Sequence, residues 1–169
     1  VRHSFGQSIA EVAFADNAWR DKHLSRLRNA YGNSRAFAEI WPELVDIYRA
    51  MPVESLVAAN RHLITALAGR LDLKTKFATD SELGVDALVG DDRLIALLDA
   101  CGSEARYLSG LGGKKYQDEA KFAAADIPVI YTDYQSHPYE QSGDFVAGLS
   151  IVDALFCIGW AGTTKLVAP

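Results

Sequence analysis

Between residues 17 and 71 the chain offers one helical signal after another and no segment that reads as a strand. Asp16 stands where an N-cap belongs, its carboxylate able to accept from otherwise orphaned N–H groups, and a helix follows from about Asn17 to Tyr31, stopping at Gly32. Asn33 or Ser34 is placed to cap the next helix, which Pro42 either breaks or restarts toward Arg49. After Pro52, a long helix is predicted from Val53 to about Leu71, with Leu56, Ala59, Leu63 and Leu67 on one stripe. Three or four consecutive helices exclude a tight strand–helix–strand unit here. Any sheet must be built from the flanks of this block.

Ahead of the block, Ser8 to Phe14 alternates between Gly6 and Asp16 and reads as a short strand. Behind it the pattern changes. Strands are predicted at Thr75–Thr79, Arg106–Ser109 and Ile127–Thr132. Between them lie helices opening at Asp91 or Asp92 and running over Gln117–Ala125. A polar, aromatic loop follows over Asp133–Gly148, and Ser150 caps a last helix ending at Gly159. Alternation of this kind implies an α/β fold: a mostly parallel sheet with flanking helices and a helical block inserted near the N-terminus. The 169 residues read as one domain over 1–169, with a helical sub-block of about 17–71 and an α/β part of about 72–169. A chain of this length buries about two-thirds of its unfolded surface and needs no staples.

The net charge of −5 weighs against nucleic acid as a partner, since phosphate binding favours a basic surplus. The longest apolar candidate, Leu149 to Trp160, is interrupted by Ser150, Asp153 and Gly159, so no membrane span is expected. Cys101 and Cys157 each sit in an apolar helical pattern and read as buried, reduced side chains. That points to a reducing compartment, the cytoplasm.

Three features could carry chemistry. In Tyr107-Leu108-Ser109-Gly110-Leu111-Gly112-Gly113-Lys114-Lys115-Tyr116 a strand runs into three glycines, two lysines and a helix. Such a turn either offers its N–H groups to an anion at the carboxyl end of a strand or merely needs positive φ. It is neither a P-loop nor a dinucleotide fingerprint. In the second feature, Arg20 shares a stripe with Leu24, Leu27 and Tyr31, with His23 at its edge. An arginine there either pairs with a carboxylate or faces a ligand. Asn60, on the stripe of Leu56 and Leu63, reads as a satisfied core hydrogen-bonding group. The third feature is the loop Asp133 to Gln141, which either carries function or simply covers the fold, with Asp153 as a support or a surface residue. The four histidines lack metal spacing, and there is no Cys-x-x-Cys and no Gly-x-Ser-x-Gly.

The succession Ile9, Trp19-Arg20-x-Lys22-His23-Leu24, Tyr31, Ser81-Glu82-Leu83, Tyr107-Leu108-Ser109-Gly110, Tyr116, Asp133-Tyr134, Tyr139-x-Gln141, Phe145 and Leu149-Ser150-x-x-Asp153-x-Leu155-Phe156 resembles the WbqC-like proteins of bacteria. The likeness runs from about residue 6 to residue 159. Members of that family are often encoded among genes for surface polysaccharide, such as O-antigen. They usually begin with an aromatic segment of His-Gln-Pro character, and the resemblance implies that such a segment belongs before Val1.

Together these observations lead to the expectation of a transferase-like enzyme of surface glycan synthesis acting on a small, anionic activated or glycan-linked substrate. Arg20, Lys22, Ser109, Gly110, Gly112, Gly113, Tyr116 and Gln141 would bind that substrate, and His23 and Tyr139 would transfer protons, all in one cleft. No cofactor or metal is expected. The alternative is a non-catalytic binding or assembly protein for a glycan intermediate or a partner enzyme.

Overall fold

A computed structural model describes residues 5–85, 87–102 and 104–168. It divides into two compact units, Val1–Thr75 with Ser136–Pro169, and Lys76–Gln135.

The first unit is helical: α1 (Ala18–Tyr31), α2 (Phe37–Ala50), α3 (Leu56–Arg70) and the C-terminal α6 (Ile151–Val167). Local chemistry sets the starts. Asp16 accepts from the Ala18 N–H at 2.8 Å, Ser55 from Ala58, and Ser150 from Val152. Pro42 does not break α2. It lies inside that helix, and the buried Ile40 and Leu44 on either side hold the helix against the core where the proline has removed a backbone bond. The core joins Ile40, Leu44, Leu71, Leu155, Phe156 and Trp160. Phe156 stacks on Tyr31 at 4.7 Å and Phe37 at 5.7 Å.

The last helix does not end at Gly159. It kinks there, with φ 69° and ψ −179°, and resumes to Val167. Resumption is possible because the Glu39 carboxylate, from α2, accepts the Trp160 N–H at 3.2 Å, capping the second segment from outside. No helix among the described residues is long and apolar enough to cross a membrane.

The second unit holds α4 (Gly90–Cys101), β1 (Tyr107–Gly110), α5 (Glu119–Ala124) and β2 (Val129–Thr132). β1 and β2 pair in parallel, Tyr107 with Val129 and Ser109 with Tyr131, as a strand–helix–strand crossover requires. Tyr107 lies flat on the buried Phe122 of α5, their centroids 5.3 Å apart.

The expected mostly parallel sheet is therefore reduced to two strands among the described residues, and helices dominate. Ile9–Glu11 forms a 3-10 turn because Ser8 and Glu11 close a capping box that pulls the backbone out of extension. Residues 75–78 are exposed, and residues 75–79 have no ladder partner among the described residues, so their β-prone composition finds nothing there to pair with. Both cysteines are free. Cys157 is buried as expected, but Cys101 is exposed, since α4 buries none of its residues completely.

Candidate functional site

Within the first unit the helices leave a pocket of about 330 Å³. α1 contributes Trp19 and His23, four residues apart and so on one face. α3 contributes Leu56, Ala59, Asn60 and Leu63, again one face, while Tyr48 and Met51 close the end of α2. Phe14 stacks on Trp19 at 4.3 Å, and the His23 ring meets Trp19 edge-on at 5.2 Å. The floor is apolar. The polar groups are the exposed His23 and Asn60 and the half-buried Tyr48, whose hydroxyl is pushed up in pKa by burial. Asn60 is not the satisfied core group the stripe suggested; it sits exposed at the pocket.

Arg20 follows neither expected course. Its two terminal nitrogens donate to the backbone carbonyls of Arg49 and Met51, at 3.2 and 3.1 Å. These carbonyls lie at the C-terminus of α2, where orphan acceptors and the negative end of the helix dipole favour a cation. The Arg20 Nε and Trp19 Nε1 are buried with no acceptor among the described residues. Arg20 thus supports one wall of the pocket, since Met51 lines it. Lys22 is exposed.

A second arrangement in this unit centres on the buried Asp153 of α6. The Tyr139 hydroxyl donates to its Oδ2 at 2.6 Å, and Cys157 Sγ lies 3.9 Å from the same oxygen. Burial first, then the bond to Asp153, push the Tyr139 hydroxyl up to about 12. Burial and then Asp153 also raise the Cys157 thiol and Tyr31. Each is held as a neutral donor at neutral pH. Gln141 uses its amide on the chain itself, accepting from the Val146 N–H at 2.7 Å and donating to the Val146 carbonyl at 3.1 Å. Tyr139, Gln141 and Asp153 therefore lock the loop that precedes α6. Gln141 also lines a small hollow of about 120 Å³ with Arg35 and Cys157. His23 and Gln141 belong to different hollows, and Tyr31, beside Asp153, lies eight residues beyond His23, about 12 Å along α1.

The Tyr139–Asp153 bond sets an alkaline limit. A hydroxyl whose folded pKa is raised contributes stability that is complete below the unfolded value near 10 and is lost as pH climbs through about 12. Urea midpoints measured from pH 9 to 12 should fall over that interval in the native protein. In Tyr139→Phe the fall should be shallower, because the phenol that must ionise has gone. Equal slopes for both proteins would refute the assignment.

In the second unit, the turn after β1 is a 3-10 segment, Leu111–Lys115. None of Gly110, Gly112 and Gly113 has positive φ, so the turn does not need glycine for that reason. Gly113 is buried, and a Cβ there would fall 2.2 Å from the buried Ser109 Oγ and 2.5 Å from Gln117 Oε1. Its glycine serves close packing. A Cβ on Gly110 or Gly112 would meet open space. Tyr116 is exposed, and Lys114 lies over the Tyr131 ring at 4.8 Å.

The pocket residues Phe14, Tyr48, Met51 and Leu63 were not anticipated as a site. The usable signal was the pairing of two helix faces, Trp19 with His23 and Leu56 with Asn60 and Leu63, each mixing apolar walls with one polar group. Among families of known proteins, the WbqC-like protein family matches residues 1–165. No curated protein and no solved structure matches the chain.

Proposed function

Because the chain belongs to the WbqC-like protein family, we propose that it is a transferase-like enzyme of bacterial surface glycan (O-antigen) synthesis, acting in the cytoplasm on an anionic activated sugar. The observation that carries this reading is the pocket of α1 and α3, where an exposed imidazole, His23, stands at the edge of an apolar, aromatic-walled cavity. Such cavities with few placed polar groups are the usual form of small-molecule sites. In this reading His23 is the proton-transfer group, since an imidazole ring offers nitrogens that can both donate and accept a proton. The exposed Lys22 is proposed to serve the anionic part of the substrate.

One observation favours the non-catalytic alternative. Tyr139, the other proton-transfer candidate, is committed to Asp153 and titrates at about 12. Catalysis would then rest on His23, with Tyr48, held neutral by burial, as the other proton-carrying side chain among the described residues of the pocket. Incubation with nucleotide-activated sugars, followed by calorimetry and by product analysis, separates the two. We expect binding, and turnover with an acceptor that falls about 10²–10⁴-fold in His23→Ala. Binding without turnover by either protein would select the binding-protein reading. Absence of binding by every activated sugar would overturn the enzyme reading.

A further inference from the structure

The pocket's lining says which part of such a substrate it can accept. Among the described residues it contains no lysine or arginine, and the nearby Arg20 spends its terminal nitrogens on the Arg49 and Met51 carbonyls. A phosphate or sugar acid brought here would be desolvated against Leu56, Leu63 and Met51 without a cation in the described lining to compensate, which is strongly unfavourable. The walls suit a flat, uncharged guest instead. Phe14, Trp19 and His23 bring three rings to one side, and aromatic surfaces bind nucleobases by stacking without regard to charge. Opposite them α3 presents Asn60, exposed and at the pocket, on the same face as Leu56 and Leu63. A primary amide holds a donor and an acceptor side by side, so it can exchange two hydrogen bonds with any ring edge that carries the complementary pair. At about 330 Å³ the pocket lies at the small end of the roughly 300–1,000 Å³ typical of ligand sites, enough for a ring system and too little for a whole nucleotide sugar.

From this combination we infer that the pocket is a nucleobase subsite: it stacks the base of the activated substrate against the Phe14–Trp19–His23 wall and reads its edge with Asn60, leaving phosphates and sugar outside. The inference rests on the function proposed above and makes it more specific. Purine and pyrimidine edges both offer the adjacent donor and acceptor that an amide requires, so the shared chemistry is the base edge and the ligands tested must tell the two sources apart.

The test is calorimetric titration of the full chain with uridine, thymidine and adenosine, and with glucose 1-phosphate as the base-free control, for the native protein and for Asn60→Leu. Because Asn60 is exposed, the substitution should leave the circular dichroism and melting of the protein unchanged. At least one nucleoside should bind without any phosphate, and its affinity should drop by about tenfold or more in Asn60→Leu, the loss expected for an amide that reads a base edge. Which nucleosides bind identifies the base as purine or pyrimidine. If a nucleotide sugar binds but no nucleoside does, or if Asn60→Leu binds every ligand as tightly as the native chain, the subsite is refuted while the proposed function stands. If no nucleotide sugar binds at all, the function itself has failed.

Discussion

Replacing Gly159 by alanine should destabilise the protein by about 3–5 kcal/mol, measured as the loss in the free energy of urea unfolding. Two independent contributions lead to that figure. With φ 69° and ψ −179°, Gly159 occupies a backbone region that residues with a Cβ essentially never adopt, and forcing one into it costs of order 1–3 kcal/mol. The added methyl would also fall 2.7 Å from the Glu39 carboxylate, which must then withdraw from the Trp160 N–H it caps. A charge-assisted hydrogen bond of that kind is worth about 1.5–3 kcal/mol. The two contributions can be separated. In a Glu39→Ala background the cap and the obstruction are already gone, so Gly159→Ala should then cost only the backbone strain, about 1–3 kcal/mol. If the penalty is identical in both backgrounds, Glu39 does not sustain the kink. If Gly159→Ala costs less than 1 kcal/mol, the kink itself is not a fixed feature of α6.

That kink marks how far local sequence can be read. Gly159 was legible as the end of a helix, since a glycine after an apolar run usually is one. What the local pattern could not contain was a carboxylate supplied from 120 residues earlier, which lets a second helical segment start at once. Pro42 failed to break α2 for a similar reason, because burial of Ile40 and Leu44 outweighs one missing backbone bond. α1, α3 and both strands of the sheet were legible because their periodicity, caps and punctuation agree, whereas α2 starts after Ala36 without the side-chain cap expected from Asn33 or Ser34. Ser8–Phe14 was misread because the Ser8–Glu11 capping box turns its first half into a 3-10 segment, and Thr75–Thr79 because strand propensity means nothing without a strand, among the described residues, to complete the ladder.

The candidate site divides in the same way. The places of Arg20 and His23 on the face of α1 could be read from a helical wheel, but their partners could not. Arg20 meets carbonyls, which leave no trace in side-chain chemistry, and so both a carboxylate and a ligand were reasonable expectations for it. Asn60 looked internal because its stripe is apolar, yet that stripe borders a cavity and the amide lies at the opening. Tyr139 and Gln141 stood out as polar residues in a loop, which is equally the signature of groups that tie a loop down.

Beyond the two hydrogen bonds of Arg20 to the end of α2, the wall that carries Trp19 and His23 has little of its own to keep it in place. No residue of α1 is fully buried, and among the described residues Leu27 and Tyr31 are the ones by which the helix packs on the core. Tyr31 does so by stacking on Phe156, which is wholly buried, also faces Phe37, and accepts the Ala36 N–H on its backbone carbonyl. Phe156→Ala should therefore cost about 3–5 kcal/mol, the range for emptying a buried phenylalanine site. Phe156→Leu keeps most of the volume and loses the ring stacking, so it should cost about 1–2 kcal/mol. Equal penalties for the two would mean that cavity formation is not what α6 resists. The loss should also be distributed unevenly. α2 keeps Ile40 and Leu44 in the core, whereas α1 loses its principal anchor. Under conditions where Phe156→Ala is still folded, amide hydrogen exchange should accelerate more in α1 than in α2. With α1 loosened, the Trp19–His23 wall is no longer pre-formed, and affinity for a pocket ligand should fall although Phe156 is not among the residues that line the pocket. If α1 and α2 exchange equally faster, the helices open as one unit, and the pocket does not depend on the Tyr31–Phe156 stack.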